Sequence, residues 1–358
     1  MRPGPVVRLA LVPLLAIAVA VAIGTWASAR QPDPRSSLTS ALDSLPEATL
    51  VAGFTDWAAI RSDLDLGSAS TGAARTKLAE RGVLRDLTTR SVLGGLIADM
   101  HAAYGWSAAD LEWETYGQAP DGAAMVARFS GSVSIGDVER RLRSLGYTSR
   151  DGVWTLSEVR ATDVGPELAA TLGNLAIDTR RRLVVAATRA DHVRDVLEVI
   201  RGDEPSALSV RALNDVAASL AGSDTVLLQS GPFACRSTSL SQLGPDVLAQ
   251  ADAAVARAGA LVAPTFTGRG LVDGRDAQSI RFAAAFGSPA QAAEQLRVRT
   301  ALATGPFIGR SGRVEDALDL RSATVDGSVA VLRFALDPDE GAFMSGEGPA
   351  LFAGCPRG

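Results

Sequence analysis

An uncharged run of twenty-one residues, Leu9 to Ala29, limits the folding problem before any other feature does. As a helix it reaches roughly 30 Å, the thickness of a bilayer's hydrocarbon, and core helices rarely lack a polar face over such a length. Arg2 and Arg8 flank its start, which favours the cytoplasm on the N-terminal side. Ala27 and Ala29 set small residues at the spacing a signal peptidase reads, and Gln31-Pro32-Asp33-Pro34-Arg35 breaks the helix after them. The run therefore reads as a cleaved signal peptide or as an uncleaved anchor in the cytoplasmic membrane. It carries no Cys for a lipid-modified N-terminus. Fold reasoning begins after residue 35, and the rest is expected outside the cytoplasm.

Cysteine usage agrees with that address. Cys235 and Cys355 are the only two, both in the exported part, and an even pair in an oxidising compartment is most simply a disulfide. There is no CxxC and no Cys/His cluster at zinc spacing, so the pattern calls for no metal and no cofactor. The formal net charge is -5 with acidic residues and Arg interspersed, which argues against a nucleic-acid partner.

Four segments share one order: apolar strand, cap, amphipathic helix. They are Leu50–Phe54 with Thr55-Asp56 and a helix from Trp57; Ala124–Phe129 with Ser134 and Asp137; Leu183–Ala187 with Thr188 and Asp191 at capping-box spacing; and Ile280–Phe286 with Ser288, Pro289 and Gln291. Hairpins follow at Tyr147–Leu156 around Asp151-Gly152 and at Leu318–Leu336 around Asp326-Gly327. A third is expected from Thr265 to Phe286 around Asp273-Gly274. Ser36 to Ser44 reads as a short helix. These units predict an α+β fold, with antiparallel or mixed sheets, helices on one face, and two similar strand-helix-hairpin halves at 36–205 and 206–358.

Catalytic signals are few. No Gly-x-Ser-x-Gly occurs, and only His101 and His192 are available as imidazole bases. His192 is expected on a solvated first helical turn beside Asp191 and Arg194, and His101 near a helix end. Asp110, Glu112 and Glu114 alternate as on one solvated strand face, a carboxylate pair or calcium site being the sharper reading. Gly268–Gly274 and Gly305–Gly312 lack phosphate-loop and dinucleotide patterns and read as loops and turns. Arg201-Gly202-Asp203 reads as a helix terminus with a glycine cap. Tyr104, Trp106, Trp113 and Tyr116 crowd together, either as core or as a groove for a glycan or partner.

Three segments in order carry a resemblance: Leu45-Pro46-Glu47-Ala48-Thr49 leading to Gly53-Phe54-Thr55-Asp56-Trp57, then Gly231-Pro232-Phe233-Ala234-Cys235, then Leu351-Phe352-Ala353-Gly354-Cys355. The chain resembles an uncharacterised family of exported actinobacterial proteins. The resemblance implies an N-terminal signal or anchor and a paired Cys235 and Cys355; it transfers no activity and no catalytic residue. The expected function is a non-enzymatic binding module of the cell envelope, with an envelope protein or glycan as partner; the alternative is an extracytoplasmic hydrolase of wall or carbohydrate.

Overall fold

Central strands that are apolar almost throughout, burying side chains on both sides, pair into one antiparallel sheet with two buried faces. In the computed structural model the described residues are 36–237, 244–274, 277–336, 343–344 and 350–356. The Leu9–Ala29 run, with Ala27 and Ala29, lies outside them. Among the described residues no helix is long and apolar enough to cross a membrane.

The first half carries α1 (Ser37–Leu42), β1 (Val51–Thr55), α2 (Trp57–Asp63), α3 (Gly72–Leu84), α4 (Ile97–Tyr104), the hairpin β2 (Leu111–Ala119) and β3 (Gly122–Phe129), and α5 (Ile135–Ser144). It continues with β4 (Tyr147–Arg150), β5 (Val153–Leu156), α6 (Glu158–Val164), α7 (Pro166–Leu172), β6 (Asn174–Asp178), β7 (Leu183–Ala187) and α8 (Ala190–Arg201). The second half carries α9 (Arg211–Ser219), β8 (Thr225–Ser230), α10 (Gly231–Ser237), α11 (Pro245–Ala258), β9 (Phe266–Asp273) and β10 (Gln278–Ala285). It ends with α12 (Pro289–Leu302), α13 (Val314–Ala317), β11 (Leu318–Asp326) and β12 (Val329–Leu336).

The twelve strands run in the order β11-β12-β10-β9-β8-β1-β2-β3-β7-β6-β5-β4. Outward from the central β1–β8 pair the two sides of the sheet repeat one order of strands: a hairpin (β2-β3, β9-β10), then a second hairpin entered by its later strand (β7-β6, β12-β11). The β4–β5 hairpin is the first half's addition. The sheet runs unbroken across the expected 205/206 boundary, where the Ala207 amide donates to Leu45 O and the Glu47 amide to Pro205 O.

The α+β class and the antiparallel sheet agree with the sequence pattern, but helices cover both faces rather than one. Ala52, Phe54, Val226 and Leu228 pack with Leu38 and Leu42 of α1, Val193 and Val196 of α8, and Leu213 and Val216 of α9. Their strand neighbours Leu227, Leu271, Ile280 and Phe334 point the other way, into a core shared with Trp57 and Ile60 of α2 and Val298 and Leu302 of α12. A one-residue offset along each strand changes faces, which is why the two cores are separate.

Local signals mostly act as expected. Asp56 caps α2 through Ala59, and Ser288 caps α12 through Gln291 with Pro289 in the first turn. Asp151 and Gly152 both take positive φ (52° and 81°), as a tight two-residue turn matched to the strand twist demands. The Leu318–Leu336 hairpin turns one residue later than expected: Asp326 pairs with Val329, leaving Gly327 and Ser328 as its tip. The capping box at Thr188 does not form, since Arg189 is the N-cap of α8 and makes no side-chain cap bond. Gly202 ends α8 in the left-handed region, so Arg201-Gly202-Asp203 is a helix terminus.

Gly268 to Gly274 is a correction: only Gly274 lies at the turn, while Gly268 and Gly270 are inside β9. A Cβ on Gly268 would come within 2.6–2.8 Å of Leu220, Leu228 and Val216, so these glycines let α9 and its end sit down on the sheet.

Cys235 of α10 and Cys355 form a disulfide across a sequence separation of 120 residues. Arg299 holds the same terminal segment, donating through Nη1 to Phe352 O (2.6 Å) and Gly354 O (3.0 Å) and through Nη2 to Val262 O (3.0 Å). Replacing both cysteines by Ala is expected to cost about 2–5 kcal/mol, since the bridge closes a long loop in the unfolded chain. Urea denaturation of both proteins tests this, and an unchanged midpoint refutes it.

Candidate functional site: a basic pocket on the covered sheet face

Glu114 on β2 is fully buried, and four donors converge on it. Trp57 Nε1 (3.1 Å) and Ser91 Oγ (2.6 Å) donate to one oxygen, and the amides of Val92 (2.6 Å) and Leu93 (3.3 Å) to the other. Burial pushes its carboxyl above the usual range, and these hydrogen bonds pull it back. The chain from Ser91 to Leu93 is thereby pinned to the sheet. Arg90 immediately precedes this segment, and its backbone lies over Gly53 of β1, where a Cβ would be 3.0 Å from the Arg90 carbonyl oxygen. Next to it Asp86 is buried, accepting from Thr89 Oγ1 (2.7 Å) and the Met344 amide (2.6 Å).

Register brings a second guanidinium alongside. Gly53 pairs with Leu227, and Leu227 with Arg269 of β9, so Arg90 and Arg269 share the row above β1, β8 and β9. Burial lowers the Arg269 pKa to about 10; the neighbouring Arg90 charge pushes it the same way and Asp86 opposes. Burial likewise lowers Arg90, with Asp86 opposing. Both stay protonated at neutral pH. Among the described residues neither has an ion-pair partner within hydrogen-bonding reach, and Arg90 Nε is buried without an acceptor. Two like charges of low hydration thus face one carboxylate that is already committed to Thr89 and Met344.

Beside Arg269 lies a cavity of about 50 Å³, walled by Leu227, Thr267, Phe282, Leu332, Phe352 and Arg299. That space is room for a few waters or a short apolar group, well below the 300–1,000 Å³ or so of ordinary small-molecule pockets. Arg299, whose pKa burial lowers to about 10, spends its two terminal nitrogens on backbone carbonyls, so its role is to hold the wall. Arg269 is the cationic group left for a ligand.

The residues singled out by sequence separate. A bulge between Leu111 and Trp113 breaks the alternation of Asp110, Glu112 and Glu114. Asp110 caps its own turn by accepting from the Ser107 amide (2.8 Å), Glu112 pairs with Arg128 at the surface (3.0 Å), and Glu114 is in the core. They form neither a carboxylate pair nor a solvated face. Tyr104, Trp106 and Trp113 are buried, Trp106 stacking edge-on with Phe129 (4.7 Å), so core packing accounts for them; Tyr116 is half-buried. His101 is in the last turn of α4. His192 is 2 % exposed, not solvated, and lies against Gly122 at the start of β3. Arg90, Asp86 and Arg269 had no motif; the one signal was an arginine between two glycines, Gly268-Arg269-Gly270, in a stretch read as a turn.

A group of carboxylates closes one end of the sheet. Asp224 precedes β8 and accepts from the Asp273 amide (2.5 Å); burial raises its pKa to about 7, the Asp273 amide opposes, and Asp63, Asp56 and Asp273 raise it further. Because the folded pKa lies above the usual 3.8, the group's stabilising contribution is full below about pH 4 and is lost as pH rises through 7. Asp224→Asn is expected to remove a loss on the order of 2–4 kcal/mol across that window. Urea midpoints at acidic, intermediate and mildly alkaline pH test this; an equal slope in wild type and variant refutes it.

No protein-family profile matches this chain, and no curated protein does. Among solved structures, crystal form I of TP0453 aligns over 89 % of this chain and 100 % of its own at 11 % identity, with a TM-score of 0.41. Crystal form IV aligns over 85 % and 96 % at 8 % identity with the same TM-score.

Proposed function

We propose that this protein is a non-enzymatic binding module of the cell envelope whose ligand is an anion with an apolar body. The observation that carries the reading is the Arg90–Arg269 pair, two guanidiniums on a covered sheet face with Asp86 already taken. Guanidiniums partly withdrawn from water, with no carboxylate free to pair with them, favour an arriving carboxylate or phosphate. Leu227, Phe282, Leu332 and Phe352 then offer apolar contact to the adjoining part of the ligand. The cavity's size means that a ligand chain longer than a few carbons enters only if an aromatic wall such as Phe352 turns aside.

An extracytoplasmic setting is supported by the disulfide and by the signal-like run. The same run, if retained, attaches the module to the cytoplasmic membrane. A carboxylate-based hydrolase finds no support at Asp110, Glu112 and Glu114, which lie in three separate environments.

The test is a matched pair of probes, a medium-chain fatty acid and the alcohol of equal length, titrated by calorimetry into wild type, Arg269→Gln and Arg90→Gln. The acid is expected to bind and the alcohol to bind at least about tenfold more weakly, a difference of about 1.4 kcal/mol. Each variant is expected to lose the preference for the acid while keeping or slightly raising thermal stability as a partly desolvated charge is removed. Equal binding of acid and alcohol, or an unchanged preference in both variants, overturns the reading.

A further inference from the structure

We propose that His192, Asp121 and Asp195 form a binding site for a divalent transition-metal ion, with zinc as the best match. Asp121 is remote in sequence from His192 and Asp195, and the three converge where the β2–β3 turn meets the first turns of α8. Asp121 is in the turn, and His192 and Asp195 are three residues apart on one face of α8. Their donor atoms lie within 4.8 Å of one another. His192 Nδ1 is 3.7 Å from Asp195 Oδ2 and 3.9 Å from Asp121 Oδ2.

Those separations are too long for hydrogen bonds and suited to a bridging ion. Nδ1 is buried and has no hydrogen-bond partner, although the side chain is only 3 % exposed. An ion about 2.1 Å from each donor spans gaps of this length at ligand–metal–ligand angles of roughly 125–135°. The aspartate side chains are 60 % and 58 % exposed, so small rotations bring them to tetrahedral geometry.

The imidazole is fixed independently of any ion: it lies against Gly122, where a Cβ would be 3.2 Å from its Cδ2. The buried ring is therefore the rigid member and the carboxylates the adaptable ones.

Ligand type selects the metal. Calcium and magnesium take oxygen donors, and an imidazole nitrogen argues against both. One nitrogen and two carboxylate oxygens suit zinc and its first-row neighbours, and three protein donors leave a position for water. Two carboxylates and a neutral imidazole also balance a dication. The positive end of α8 works against a cation there. The Arg189–Asp191 pair (3.0 Å) at that terminus has no net charge to add to either side.

The experiment is calorimetric titration of zinc chloride into the full, untagged chain, with Asp121→Asn, Asp195→Asn and His101→Gln alongside. The aspartates are exposed, so folding of those variants is expected to persist, and circular dichroism checks it. With only two histidines and both cysteines in the disulfide, background sites are few. Expected are a single zinc site, binding about tenfold weaker or worse in each aspartate variant, and none of that loss in His101→Gln. X-ray absorption of the zinc-loaded chain is expected to fit a single imidazole with oxygen donors. Absence of zinc binding, binding unchanged from wild type in either aspartate variant, loss in His101→Gln, or displacement by calcium at equal concentration overturns the assignment.

Discussion

A carboxylate stripped of water is tolerable only where donors replace the water, and at Glu114 the replacement organises a whole region. Its four donors come from two elements, α2 through Trp57 and the irregular chain at Ser91–Leu93. Neither element is held there by regular pairing with the sheet. Without the carboxylate the Val92 and Leu93 amides would face an apolar core unpaired, so the chain at Arg90 would have no reason to lie flat over Gly53. The basic pocket thus depends on an acidic residue that never touches it.

The same logic accounts for the charge imbalance above β1, β8 and β9. Asp86 is the carboxylate closest at hand, yet its oxygens are occupied in closing its own turn through Thr89 and in receiving the Met344 amide. Arg299, more deeply buried, shows the structural alternative: its terminal nitrogens make three carbonyl bonds beside an aromatic face at 5.5 Å, and only its Nε lacks an acceptor. Arg269 lacks that provision. A fold that gives the terminal nitrogens of one arginine backbone acceptors gives those of the partly exposed Arg269 none among the described residues, and that contrast separates a packing role from a recognition role.

Much of the fold was legible because its signals are local. Asp56, Ser288 and Pro289 start helices where they stand, Gly202 ends one, and Asp151-Gly152 makes its turn, each by a conformational preference independent of distant contacts. The disulfide was legible from number and address alone. What failed was non-local. Gly268 and Gly270 look like turn residues until α9 is seen pressing on them, and Glu114 looks like one of three alternating acids until the bulge at Leu111/Trp113 changes its side. Helices on both faces were hidden for a similar reason, since a strand buried on two sides no longer shows alternation.

The site residues were illegible for a further reason. In a chain whose basic residues are arginine but for Lys77, another arginine carries little information, and only register decides which two become neighbours. Arg90 and Arg269 are joined through three pairings, Gly53 to Leu227 and Leu227 to Arg269 along the sheet and Arg90 to Gly53 across it. The first of these is the central β1–β8 contact, where the two repeated strand orders meet. A one-residue slip of that pair would send Arg269 to the opposite side of the row from Arg90 or move it along the strand. The charge pair therefore depends on residues from both sides of the central β1–β8 pairing, which is why no segment read by itself contains it.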